Sequence, residues 1–150
     1  MLDGTSVTFI SRRDSHFREY PPASASLAVV VPFFGHLPVW VRPYANRGWQ
    51  FPAGSRKAGE TIGEAAKRLL WDATRLATAR LDLLGCLARN DSGRSRVAYV
   101  YTCQSDRLSW VHERPVESVE VGVFMLAPKP IEADWCATLL DVAKRARNGV

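Results

Sequence analysis

The residues best suited to chemistry cluster between positions 54 and 76, in "GSRKAGETIGEAAKRLLWDATRL". Glu64, Arg68 and Asp72 recur at i, i+4 and i+8, so they share one flank of any helix formed there. Glu60 precedes them, and Arg56 and Lys57 sit in a glycine-punctuated loop. Carboxylates beside cations suit work on phosphates. Magnesium asks for about six oxygens, often one or two carboxylates plus phosphate and water. Yet Leu69 and Ala73 offer no side-chain oxygen. The segment therefore reads either as a weakened metal site or as a helix packed on a core. Each basic residue, taken singly, is also explained as a solvated surface group, and Arg68 as an ion-pair partner of Glu64 or Asp72.

The elements that must hold these residues follow from patterning. At about 100° per residue, Ile62, Ala65, Ala66, Leu69, Leu70, Ala73, Leu76 and Ala77 fall within an arc of roughly 140°. They predict an amphipathic helix from Thr61 to about Leu76, with Leu69 and Ala73 near the middle of its apolar stripe. Thr61 and Glu64 have the spacing of a capping box. Trp71 points nearly the other way. Strands are predicted at residues 5–10, 26–34 and 37–43, with Gly35-His36 as a turn between the last two. Pro32 and Pro38 suggest edges or bulges. Residues 48–52 read as a short strand and "AGSRKAGE" as a loop. Residues 79–89 and 94–104 predict a hairpin. Residues 117–126 alternate, with Val119, Val121, Val123 and Met125 on one face. Residues 131–147 predict a closing amphipathic helix. Strands on either side of the first helix make a mixed α/β domain.

Composition bounds the rest. The chain has 150 residues and 47% hydrophobic content, enough for one domain with a real core. No apolar run reaches the ~18 residues of a membrane span, and the N-terminus lacks a secretory pattern. Cys86, Cys103 and Cys136 are odd in number and far apart, and His16, His36 and His112 are scattered. Neither a zinc site nor a disulfide framework is expected, and a cytoplasmic home is. The net charge of +5 favours phosphate-bearing partners without singling out nucleic acid. Its local clusters are Arg12-Arg13 and the "KRAR" of residues 144–147.

Residues 48–76 resemble a Nudix box with its lead-in strand. Gly54 is followed by five residues and Glu60, and seven more lead to Arg68. Leu70 and Leu76 fill the aliphatic positions, and "GWQFPAG" matches family usage. The resemblance implies an α/β/α sandwich: a mixed sheet between the box helix and a C-terminal helix, over nearly the whole chain. It also implies a site. In the family, box acids hold magnesium or manganese against a diphosphate, and one of them, or an acid on a later loop, activates water. Here the family's Arg-Glu-aliphatic-any-Glu-Glu becomes Arg68-Leu69-Leu70-Trp71-Asp72-Ala73, and its closing Gly becomes Arg75.

The metal ligands carried over are the Gly54 carbonyl, Glu64 and Asp72. The catalytic residues are Glu60, Arg68, Asp72 and an acid outside the box, Glu117 or Glu120, with Glu113 nearby. Arg56, Lys57 and Trp49 are the expected ligand-binding residues. Trp40, Tyr44 and Tyr99 are further stacking candidates, and Trp110 and His112 are candidates to line the cleft. The expected function is binding of a nucleotide or nucleotide-like phosphate with metal-dependent hydrolysis lost or weak. The alternatives are an active hydrolase with an atypical metal site, and a non-catalytic homodimer using Trp71 and the terminal helix.

Overall fold

A computed structural model describes residues 7–42, 48–76, 80–91, 94–105 and 120–149. The chain runs β1 (Val7–Ser11), β2 (Leu27–Phe34), β3 (Leu37–Arg42), β4 (Ala53–Ser55), α1 (Ile62–Thr74), β5 (Asp82–Asp91), β6 (Arg94–Ser105), β7 (Glu120–Val123) and α2 (Asp134–Arg147). The strands lie in the order β1-β5-β6-β2-β3-β7, with β4 added to the start of β2. β2 runs parallel to β6, and the other pairings are antiparallel. This is the expected mixed sheet, with a helix on each face.

β2 shows why the sheet is two-sided. Leu27, Val29, Val31 and Phe33 point to one face, where α2 lays Trp135, Cys136, Leu139, Leu140 and Ala143 over them. Ala28 and Val30 point to the other, against Ile62, Ala66 and Leu70 of α1. Successive strand side chains alternate faces, so a continuous apolar run serves a strand covered on both sides.

Some expectations shift. Pro32 sits in the central strand rather than at an edge. Val30 directs its N–H to the Pro52 carbonyl. Pro32, two residues on, turns its nitrogen to the same edge, between the end of the β4 pairing and the start of the β3 pairing. A missing donor there removes no ladder bond. Ala53–Ser55, expected in a loop, pairs with Leu27–Val29 as β4. Val121 and Val123 pack on the α1 side of the core, but Met125 lies beyond β7 and is 81% exposed. Val119 lies outside the described residues.

Candidate functional site

The box helix begins as its sequence dictates. Thr61 Oγ1 accepts from Glu64 N–H at 3.1 Å, and Glu64 Oε1 accepts from Thr61 N–H at 2.8 Å, so the capping box is complete. The Thr61 backbone N–H, with its side chain second, holds the Glu64 carboxyl below the usual carboxylate range. At the other end Arg75, where the family has glycine, takes the left-handed conformation at φ 58° and donates its N–H to Trp71 O. That backbone geometry is what glycine adopts most easily. Arg75 also lays its guanidinium over the Trp71 ring at 5.3 Å.

The buried face of α1 is Ile62, Ala65, Ala66, Leu70 and Thr74. Leu69 and Ala73, expected at the middle of the stripe, are half-buried at its edge. The stripe is rotated because Thr74 belongs to it, its hydroxyl donating to Leu70 O at 2.6 Å and accepting from Leu76 N–H at 3.0 Å. Leu69 leans over the backbone of Gly54: a Cβ added there would lie 2.6 Å from Leu69 Cδ2. An apolar side chain thus covers the glycine whose carbonyl is a carried-over metal ligand.

Arg68 does not pair with Glu64 or Asp72. It grips Glu60 through two hydrogen bonds, Nε to Oε2 at 2.8 Å and Nη2 to Oε1 at 3.0 Å, and also donates to Ser55 O at 2.9 Å. Glu60 further accepts from Lys57 N–H at 2.9 Å. The Arg68 guanidinium, with that backbone donor, holds the Glu60 carboxyl down to about 2. The pair ties the loop after β4 to the middle of α1. Arg56 donates to the carbonyls of Pro22 and Ala23 at 3.4 and 3.1 Å. Arg56, Lys57 and Glu60 line a shallow hollow of about 450 Å³ with Ser26. Asp72 is exposed.

Trp49 and Glu120 belong to a different group. Arg42 donates twice to Glu120, at 2.8 and 2.7 Å, and its guanidinium lies 5.1 Å from the Trp49 ring centre. Phe124 meets the same ring edge-on at 5.0 Å. Trp49 is therefore partly covered by its own chain. Arg42, which organises this group, was not singled out in the sequence; a cation closing an apolar strand was the available signal. Trp40 and Tyr99 are buried, at 0% and 2% exposure, and belong to the core rather than to a stacking surface. Tyr44, Trp110, His112, Glu113 and Glu117 lie outside the described residues.

Among the described residues, the carboxylates that precede and open α1 are engaged by their own chain. Glu60 is engaged by Arg68 and Lys57, and Glu64 by Thr61. Leu69 and Ala73 bring no side-chain oxygen, so among the described residues the Gly54 carbonyl, Asp72 and the second Glu64 oxygen remain. Among the described residues no group of three or more His, Cys, Asp or Glu is placed to hold an ion.

A sequence profile of the NUDIX domain matches residues 22–131. The chain belongs to the Nudix family. No curated protein matches it. Among solved structures, the pyrophosphohydrolase BsRppH of Bacillus subtilis is similar at TM-score 0.73 and 17% identity, covering 93% of this chain and 90% of that one. The NUDIX domain of Shewanella oneidensis NrtR, solved with ADP ribose, is similar at TM-score 0.62 and 17% identity, covering 88% and 96%. A structure described as an ADP compounds hydrolase gives TM-score 0.63 at 17% identity, covering 82% and 72%. At such identities the likeness speaks for the fold alone. No helix among the described residues is long and apolar enough to cross a membrane.

Proposed function

We propose that this chain binds a nucleotide or nucleotide-like phosphorylated small molecule, and that the metal-dependent pyrophosphohydrolysis of its family is lost or weak. The observation that carries this reading is Leu69 leaning over Gly54. At two positions where the family's box carries acids, this chain carries the apolar Leu69 and, one turn on, Ala73. Without a general base alone, rates of such reactions fall by about 10²- to 10⁴-fold, and the ions' charge neutralisation is missing as well.

Binding needs less. Arg56 and Lys57 border the hollow beside Glu60 and supply positive charge for phosphate. The Arg68–Glu60 pair acts as a positioning contact that fixes this loop on α1. The ADP ribose bound by the NrtR domain makes a ligand of that chemistry a reasonable first probe.

A second reading rests on Asp72, which is exposed one helical turn from Arg68. In it Asp72, the Gly54 carbonyl and the substrate phosphates would hold a single magnesium or manganese ion, with Glu117 as the acid to activate water, since both Glu120 oxygens accept from Arg42.

Thermal shift with a panel of nucleotides and ADP ribose in chelator, beside product release in magnesium or manganese, separates the two. Stabilisation without turnover is expected, since a ligand that binds the native state raises its stability. Metal-dependent turnover would establish the second reading.

A further inference from the structure

Two basic stretches far apart in the sequence meet on one concavity. The end of β1 delivers Arg12 and Arg13, the last turn of α2 delivers Arg145 and Arg147, and Arg80 enters just before β5. They surround a hollow of about 540 Å³, within the range of small-molecule sites. Its floor is apolar, with Phe9, Leu84 and Val142. The one acid in its lining, Asp82, is already paired with Arg80 at 2.9 Å. None of the box residues lines it. It lies on the α2 face of the sheet, while α1 covers the other.

Basic residues in the last turn of a helix are ordinary complements to its dipole, and exposed arginines are ordinarily solvated. Three features exceed that explanation. Arg12 and Arg13 come from a different element and join the same hollow. Arg147 is pre-positioned: it donates to Gly35 O at 2.8 Å and to Gln104 Oε1 at 3.2 Å, and lies 4.3 Å from the Phe33 ring centre. The terminal carbonyls of α2 are also taken, with Asn148 N–H shared between Lys144 O and Arg145 O and Gly149 N–H on Ala146 O, so the negative end of the helix is partly satisfied internally.

We propose that this hollow is a second ligand site, separate from the box, for an organic polyphosphate. Arg12 and Arg13 hold its phosphates, joined by Arg145, whose guanidinium also pairs with Asp141 at 3.0 Å, and Phe9, Leu84 and Val142 support its apolar or aromatic body. Arginine suits this task because its fork of donors matches phosphate oxygens. Inorganic phosphate would leave the apolar floor bare. A long polynucleotide is disfavoured because the arginines gather at one hollow instead of forming a track.

The test uses the full chain in chelator, with ATP as probe and amide chemical shifts plus calorimetry as readouts. ATP should shift amides of residues 9–13 and 142–149. R12A/R13A, both at exposed positions, should weaken that binding by about tenfold or more, and R145A should weaken it without unfolding the chain. Binding should fall as salt rises, and tripolyphosphate should bind more weakly than ATP. The proposal is overturned if shifts are confined to residues 54–68, which would leave the box-side reading intact. It is equally overturned if R12A/R13A binds ATP as the parent does, if tripolyphosphate matches ATP, or if a single-stranded RNA decamer displaces ATP at lower concentration.

Discussion

Restoring carboxylates to the box helix should give it metal affinity at a modest cost in stability. The perturbation is Leu69→Glu with Ala73→Glu. Both positions are half-buried at the edge of the α1 stripe, and with Asp72 they would place three acids within one helical turn. Fully burying a leucine contributes about 1.5–3 kcal/mol, so losing a half-buried one costs roughly 1 kcal/mol. A second carboxylate beside Asp72 adds like-charge repulsion, for about 1–2 kcal/mol in all. In a domain of this size each kcal/mol moves the melting temperature by about 2–4 °C. In chelator the double variant should therefore melt about 2–8 °C below the parent. Manganese at about 100 times its dissociation constant would return about 2.7 kcal/mol, enough to restore or exceed the parental melting temperature. Differential scanning fluorimetry with and without manganese reads both effects. The parent should show no comparable metal shift. A parent stabilised by manganese as strongly as the variant would refute the reasoning, and so would a variant that fails to fold, since that would put both positions in the closed core.

The same packing predicts that Gly54→Ala displaces the Leu69 side chain at a small cost in stability, because its new Cβ would meet Leu69 Cδ2, the mobile end of that side chain, at 2.6 Å. In a Leu69→Ala background the added cost of Gly54→Ala should vanish, and a purely additive double mutant in thermal melts would count against the contact. Glu60→Gln should make stability less dependent on acid. A carboxyl held at about 2 in the fold, against an ordinary 4.5, stabilises above its unfolded value and loses that contribution as pH falls towards 2. Urea midpoints of parent and variant should thus differ at pH 6 and converge towards pH 2; a constant gap would contradict the pairing. The thiols of Cys86, Cys103 and Cys136 are pushed up to about 11, 12 and 12 by burial. None should react with a thiol reagent at pH 8 until the chain is unfolded, and rapid native labelling of any one would show its burial to be wrong.

Much of the fold was legible because its signals are local. Thr61 and Glu64 announced the start of α1, the β-branched run of residues 26–34 announced a buried strand, and residues 79–89 and 94–104 announced the hairpin seen as β5 and β6. What escaped depends on neighbours distant in the chain. Periodicity placed Leu69 mid-stripe because it cannot see that Thr74 satisfies its own hydroxyl and joins the buried face. Nor could helical spacing reveal that the partner of Arg68 is Glu60, eight residues back in a loop. The strand character of residues 53–55 comes from β2, not from their own composition. Convergence of Arg12-Arg13 with residues 144–147 is likewise a product of topology: each cluster alone looked like solvated charge.

The most direct measurement is chromatographic detection of product from ADP ribose and a panel of nucleoside diphosphates, incubated with the purified chain in magnesium and then in manganese. The account predicts no turnover above the buffer control, alongside ligand-dependent stabilisation of the same preparation in chelator. Multiple turnovers that require the metal and vanish in Asp72→Asn would contradict it.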